Sequence, residues 1–421
     1  MPSQVLPGER PQTLLPELAG GMRYMARQPI MDRRALVHGY ELLFRSGPTA
    51  FFSGDGNLAT RTMLDNAVMF GLGKLTAGLP AFFNCTSESL TEDLVDVLPA
   101  GNSILEVLET VEPTPRLIAA CQKLKAAGFR IALDDFVWRP DLQPLVRLAD
   151  YVKVDFLLTG PEERKMLLKR LKGTSVALVA EKIESQDEYK QACLEGFTLF
   201  QGYYFCRPVL LRNQQIPANR LSHIEILQLL REDPFDLNKV ATAVKRDASL
   251  TYRLLRLVNS PIYALRGQVS SIHAALMAVG EDTFRRIATL AITSELNAGQ
   301  PIEILRMAFV RARFCELAAT QCGQNQTEQY LLGLLSLLPA MLRLPMAQLT
   351  PMLPLRDEVR WALEGTRNAE RVLLDWLEYQ ALCDWDGCDQ VVKKYGLNET
   401  ELANRYAEAL MWAEVVLHEV A

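Results

Sequence analysis

Apolar residues fall along the chain in two rhythms. From Arg23 to about Pro208, short β-type runs alternate with helix-like stretches. The strand candidates are "GMRYMARQPI", "HGYELLFR", "PAFFNCT", "SILEVLE", "RIALDDF", "YVKVDF", "VALVAEKI" and "LFQGYYF". Between Arg116 and Ala127, Leu117, Ala120, Cys121 and Leu124 recur at helical spacing. This alternation predicts a parallel sheet or a β/α barrel. "VLLRNQQIPANR", Val209 to Arg220, has little regular pattern and contains a proline, so it reads as a linker. Beyond it the spacing is helical throughout: Leu237, Val240 and Val244 share one face, and Leu250, Leu254, Leu257 and Val258 share another. The second half is therefore expected to be an all-α bundle.

Within "HGYELLFR", alternation sends Glu41, Leu43 and Arg45 to one side of the strand. The two charges make either a strand-end ion pair or a convergence on a common pocket. The other strands also carry polar residues at or near their C-terminal ends, where barrel enzymes place their chemistry. The resulting constellation is Glu41, Asn84, Glu106, Asp134, Asp135, Lys153, Glu181 and Gln201. Its carboxylates and carboxamides suit a hard cation. Confining the adjacent pair Asp134 and Asp135 carries a repulsion that a divalent ion would relieve, as in two-metal phosphodiester hydrolysis.

Composition narrows the classes. The 421 residues, 49% of them apolar, can bury large cores and suggest two domains. A net charge of -5 gives no bulk electrostatic case for nucleic acid or an anionic membrane as partner. The eight cysteines form no C-x-x-C and have no neighbouring histidine, so they read as reduced core residues. The N-terminal stretch, residues 1–21, lacks the basic start and apolar run of a secretory signal. No segment offers about twenty uninterrupted apolar residues for a membrane span. A cytoplasmic location is expected.

The strand segments resemble the EAL family of cyclic di-GMP phosphodiesterases in order and chemistry. "QPI" at Gln28 to Ile30, "ELLFR", "FNCT", "LEVLE", "LDDF", "VKVD", "AEKIE" and "FQGYYFCRP" all match family motifs, over roughly residues 22 to 208. The resemblance implies a TIM-like barrel with Glu41, Asn84, Glu106, Asp134 and Asp135 as ligands of Mg²⁺ or Mn²⁺. It makes Lys153, Glu181 and Gln201 catalytic: Lys153 holds the attacking water or the phosphate, Glu181 supports the metal centre, and Gln201 sits beside nucleotide or water. Gln28, Arg45 and Asp155 are implied ligand-binding residues, Arg45 through a bidentate phosphate contact. Departures accompany the match. The family's glycine-containing loop after the double aspartate is replaced by "VWRPDLQP", and Lys182 stands where the family has glycine.

"RDASLTYRLLRLVNS" and "VSSIHAALMAVG" resemble the HDOD family, helical relatives of metal-dependent HD phosphohydrolases. Where catalytic HD proteins carry His-Asp, this chain has Ser336 and Leu337. With four histidines, at 38, 223, 273 and 418, and no His-Asp dipeptide, a dinuclear HD site is not available. His273 reads as a core or surface residue rather than a ligand. Asn259 and Ser260 read as a helix cap before Pro261. Arg246, Arg253, Arg256 and Arg266 make either a docking face or solvated helix charges.

The resemblance implies a leader over 1–21, an EAL domain over 22–208, a linker over 209–220, an HDOD domain over 221–410 and a helix end over 411–421. It implies binding of cyclic di-GMP and, in the enzymatic version, hydrolysis to linear pGpG, with the HDOD bundle as output module toward a protein partner. A non-catalytic scaffold with a degenerate barrel site is the alternative. A homodimer is possible; membrane and direct nucleic-acid partners are not expected. The short linker predicts contact between the halves. Trp138 either anchors that contact or packs on its own barrel rim.

Overall fold

The computed structural model describes residues 22–46, 72–202, 218–230, 234–263, 265, 267–353 and 355–420. The expected leader, residues 203–208 of the last EAL motif, Arg266, most of the linker and the side chain of Arg45 lie outside the described residues.

All eight expected strands form, and they close into a barrel in sequence order: β1 Met22–Asp32, β2 Val37–Ser46, β3 Ala81–Cys85, β4 Ser103–Val107, β5 Arg130–Leu133, β6 Tyr151–Asp155, β7 Ala177–Glu181 and β8 Leu199–Gln201. One feature departs from an all-parallel sheet. β1 runs antiparallel to both β2 and β8, while β2 through β8 pair in parallel. Four residues join β1 to β2, far fewer than a crossover needs, so a hairpin is the available connection. Asp32 fixes that turn by accepting hydrogen bonds from the amides of Arg34 and Leu36.

Period-two geometry then separates an apolar floor from a polar mouth. Ile30, Phe82, Ile104, Ala132, Tyr151, Val179 and Leu199 form one buried cluster inside the barrel. Two residues further along β3, β4, β6, β7 and β8, on the same inward face, come Asn84, Glu106, Lys153, Glu181 and Gln201; Asp134 follows Ala132 at the end of β5. Because β1 runs the other way, Gln28 lies two residues before Ile30 and still reaches the mouth, opposite Glu41. Gly39 makes room for the floor: a Cβ there would stand 2.7 Å from the Pro80 carbonyl and 3.1 Å from the Phe82 ring. The outward residues of the strands, such as Phe83, Leu105, Ile131 and Val152, pack against the surrounding helices.

The second half is all helical. Its first helix, Ala218–Leu229, begins inside the expected linker, and its last, Glu399–Val420, runs unbroken through residue 410. Asn259 caps the Ala248–Val258 helix as expected, its amide spanning the Leu255 and Val269 carbonyls and accepting from the Val269 amide. Ser260 does not share in this: its buried hydroxyl has no hydrogen-bond partner. His273 bonds Asn238 at the surface. Arg253 and Arg256 pair within the bundle, with Glu295 and Glu419.

The halves pack together through β1, which lies along the Val372–Ala381 and Glu399–Val420 helices. Leu75, on the barrel side, is buried in the helical core. Across the junction the Arg27 guanidinium donates to the Leu75 carbonyl, pairs with Glu414 at 3.2 Å and covers the Tyr40 ring. Glu414 also holds Arg306, Arg306 holds Glu303 at 2.6 Å, and the Tyr40 hydroxyl donates to Glu303 at 2.7 Å. Burial and the Glu303 charge push the Tyr40 hydroxyl far above the usual phenol range. Trp138 takes no part: it packs on its own barrel, edge-on to Phe136 and beneath Arg170.

Candidate functional site

The polar layer above the barrel floor is organised around one ammonium. Lys153 Nζ lies 3.1 Å from Glu41, 2.7 Å from Glu106, 2.8 Å from Asp134 and 2.8 Å from Glu181. Lys153 is 1% exposed and Glu106 0%, so these charges meet away from water, where pairing is strong and incomplete pairing costly. Burial works against the ammonium, yet the four carboxylates raise its pKa well above the ordinary lysine value.

The carboxylates respond unequally. Burial pushes Glu106 well above the carboxylate range, and the charges of Glu41 and Asp134 add to the shift. Glu181 is pushed up to about 8 by burial, against the pull of Lys153. Burial acts on Glu41 in the same direction, but Lys153 and hydrogen bonds from Gln201, 2.7 Å, and Asn84, 3.1 Å, prevail and lower its pKa. Four carboxylates around one ammonium leave excess negative charge, which the protein resolves by holding protons on Glu106 and Glu181 or by admitting a cation.

Several oxygens point to the second course. Asn84 Oδ1, Glu106 Oε2, Asp135 Oδ1 and Gln201 Oε1 are buried without a hydrogen-bond partner, and Glu106 Oε1 meets only the Lys153 ammonium. Burial, with the neighbouring Asp134, raises the Asp135 pKa as well. Among the described residues no three acidic, histidine or cysteine side chains stand closely enough to cage an ion by themselves. Lys153 is what gathers the carboxylates. The donor set and its surplus charge nevertheless fit a hard divalent cation.

The structure brings together Gln28, Glu41, Asn84, Glu106, Asp134, Asp135, Lys153, Glu181 and Gln201. Gln201 links Gln28, at 2.8 Å, to Glu41. Asp155 joins this group only through Lys182, whose ammonium also lies 3.8 Å from Asp135. Its carboxylate accepts the Leu157 and Leu158 amides and pairs with Lys182, and it does not line the cavity above the site. Those bonds, despite opposing burial, hold its pKa low. Lys182 adopts φ +54° and Asp135 φ +38°, both in the left-handed region, so the backbone that glycine would favour is retained with a lysine in it.

The cavity, about 390 Å³, opens between the barrel mouth and the helical half. Gln28, Glu41, Asp134, Asp135, Lys153 and Glu181 form one wall; Met307, Arg311, Gln380, Cys383 and Tyr406 form the other. Gln28 spans the two, its amide donating to the Ala381 carbonyl and to Cys383 Sγ, both at 3.2 Å. The helical wall was not legible as part of the site. Its only sequence signal was a charge inside an apolar helix, Arg311 in "AFVRARFC".

A closed barrel with a carboxylate-ringed lysine at its mouth, joined to a helical domain without the His-Asp metal site, defines a two-domain class. The EAL domain model matches residues 57–208 and the HDOD domain model residues 216–362. The chain is 33% identical over 400 residues to the uncharacterized protein YuxH of Bacillus subtilis, covering 92% of this chain and 97% of that one. It is 33% identical over 401 residues to the cyclic di-GMP phosphodiesterase CdgJ of Vibrio cholerae, covering 93% and 92%. The chain belongs to the EAL–HDOD family. Among solved structures, the calcium and cyclic di-GMP complex of Klebsiella pneumoniae BlrP1 matches 47% of this chain and 57% of its own at 23% identity, with a TM-score of 0.38. No single helix among the described residues is long and apolar enough to cross a membrane.

Proposed function

We propose that the barrel binds cyclic di-GMP and hydrolyses it to linear pGpG, and that the helical half relays the state of that site to a protein partner in the cytoplasm. The observation that carries this reading is the buried Lys153 centre with its surplus of carboxylate and its unpartnered oxygens. Glu41, Asn84, Glu106, Asp134 and Asp135 would hold Mg²⁺ or Mn²⁺, which would supply Lewis-acid polarisation of the phosphodiester and a lowered pKa for water. Lys153 presents a fixed positive charge toward a phosphate oxygen. Glu181 takes or holds a proton beside it, and Gln201 orients Glu41 and Gln28. Arg45 contributes a further phosphate contact.

Two observations favour a second reading, binding without turnover. The lysine already occupies the centre of the carboxylates, and Gln28 is engaged by the helical half. Incubating the full chain with cyclic di-GMP and Mn²⁺, then separating the nucleotides, decides between the readings. Linear pGpG from the unsubstituted chain and none from Glu41→Gln supports the phosphodiesterase. Binding without product leaves the signalling scaffold, and neither binding nor product refutes both.

A further inference from the structure

The cations on the cavity wall differ in one respect. Lys153 meets four carboxylates, Lys182 pairs with Asp155, and Arg27 pairs with Glu414. Arg311, on the helix Ile302–Ala318, is 7% exposed, yet among the described residues it has no carboxylate partner. Its one hydrogen bond runs from Nη1 to the hydroxyl of Ser336, at 3.2 Å.

The surroundings explain how this charge is held. Ser336 caps the C-terminus of the helix Gln326–Leu335 and donates to the Gly333 carbonyl, so Arg311 sits at the negative end of a helix dipole. Gly333 lets the helices approach closely, since a Cβ there would stand 2.4 Å from the Arg311 carbonyl oxygen. A neutral hydroxyl and a helix end place a guanidinium without neutralising it. The fork is left to meet an anion in the cavity, opposite the acidic barrel mouth.

We propose that Arg311 is a ligand-binding residue contributed by the helical half, which takes a phosphate of the cyclic dinucleotide bound at the barrel mouth. The inference rests on the cyclic di-GMP reading above and adds to it. The ligand carries two phosphates. One is served by the Lys153 centre; the other, in a cavity rich in carboxylates, calls for cationic contacts beyond the one proposed for Arg45, and a planar guanidinium matches it. Occupancy then joins the two halves through a single molecule, with the position that has lost the His-Asp dipeptide serving to seat the arginine.

The test is calorimetry of the full chain with cyclic di-GMP and Ca²⁺, comparing the unsubstituted protein, Arg311→Met and Arg311→Lys. Loss of a charge-assisted hydrogen bond should weaken Arg311→Met about ten- to a hundredfold, with Arg311→Lys intermediate. Hydrogen exchange on the unsubstituted chain supplies a readout that needs no variant: ligand should slow the amides of Ile302–Ala318. Tight binding indifferent to residue 311 overturns this inference alone. So does unchanged exchange along that helix, should Arg311→Met not fold. No binding by the unsubstituted chain overturns the dinucleotide reading and this inference together.

Discussion

Replacing Lys153 with methionine keeps much of the side-chain volume and removes the charge on which Glu41, Glu106, Asp134 and Glu181 converge. Removing one partner from a buried ion pair costs about 3–5 kcal/mol. For a domain of barrel size, each kcal/mol lowers the melting temperature by about 2–4 °C, so a fall of roughly 6–20 °C is expected near neutral pH. The deficit should depend on pH in a stated direction. Burial already raises Glu106 and Glu181, and without the ammonium both rise further. A carboxyl whose folded pKa lies above its unfolded value contributes stability that is complete below the unfolded value and lost as pH rises through the folded one. Lys153→Met should therefore approach the unsubstituted chain toward pH of about 5 and fall away from it toward about 9. Thermal melts in EDTA across that range measure both effects. Millimolar Mn²⁺ should then restore part of the loss in the variant, because an ion bound only by the folded state stabilises it by mass action. Melting temperatures within about 2 °C of the unsubstituted chain at every pH would refute the reasoning.

Asp134→Asn with Asp135→Asn should abolish Mn²⁺ binding by calorimetry while preserving the circular dichroism spectrum; equal affinity would remove both residues from the metal set. Lys182→Gly should melt above Lys182→Ala, because both lose the half-exposed pair with Asp155 but only alanine keeps about 1–2 kcal/mol of left-handed strain at φ +54°, which glycine adopts freely; the reverse order would contradict that account. Asp247→Ala should cost about 1 kcal/mol, since Asp247 caps the Ala248–Val258 helix and bonds His223 at 2.8 Å. Although burial opposes it, the Leu250 amide and His223 hold the Asp247 pKa low, so its contribution should be present above the usual carboxylate range and disappear as pH falls through the lowered value. Urea melts of both proteins from pH of about 7 to 3 should converge at the acid end.

The sequence made the barrel legible because inward and outward residues alternate on every strand, and the resemblance to known motifs then named the residues at the mouth. Strand direction was another matter. Alternation is the same read either way, so nothing in "GMRYMARQPI" showed that β1 runs against its neighbours; the four-residue turn after it was the available clue. Asp155 carries the same inward parity as Lys153, and only the fold shows its carboxylate consumed by two amides and a lysine. Gln28, Glu41 and Gln201 were identifiable singly, but their shared hydrogen bonds depend on closure of β8 onto β1. The helical wall belongs to the packing of two domains, which local pattern does not encode. Arg311 and Cys383 therefore had no motif to announce them.

Tyr40 and Glu41 are consecutive residues on β2 that face opposite ways. The first holds Glu303 of the helical half, and the second holds Lys153 inside the barrel. The two domains thus resemble beads on a string in the sequence while sharing working parts in the fold. A cut near residue 210 would bare Leu75 and the Tyr40 face on one fragment and strand Glu303, Arg306 and Glu414 without their barrel partners on the other. Recombination that exchanged the helical half for an unrelated domain would have to rewrite β1 and β2 at the same time, including a strand that carries the polar residues of the barrel mouth. Swapping modules, the usual route by which signalling chains diversify, is closed to this pair unless both sides change together.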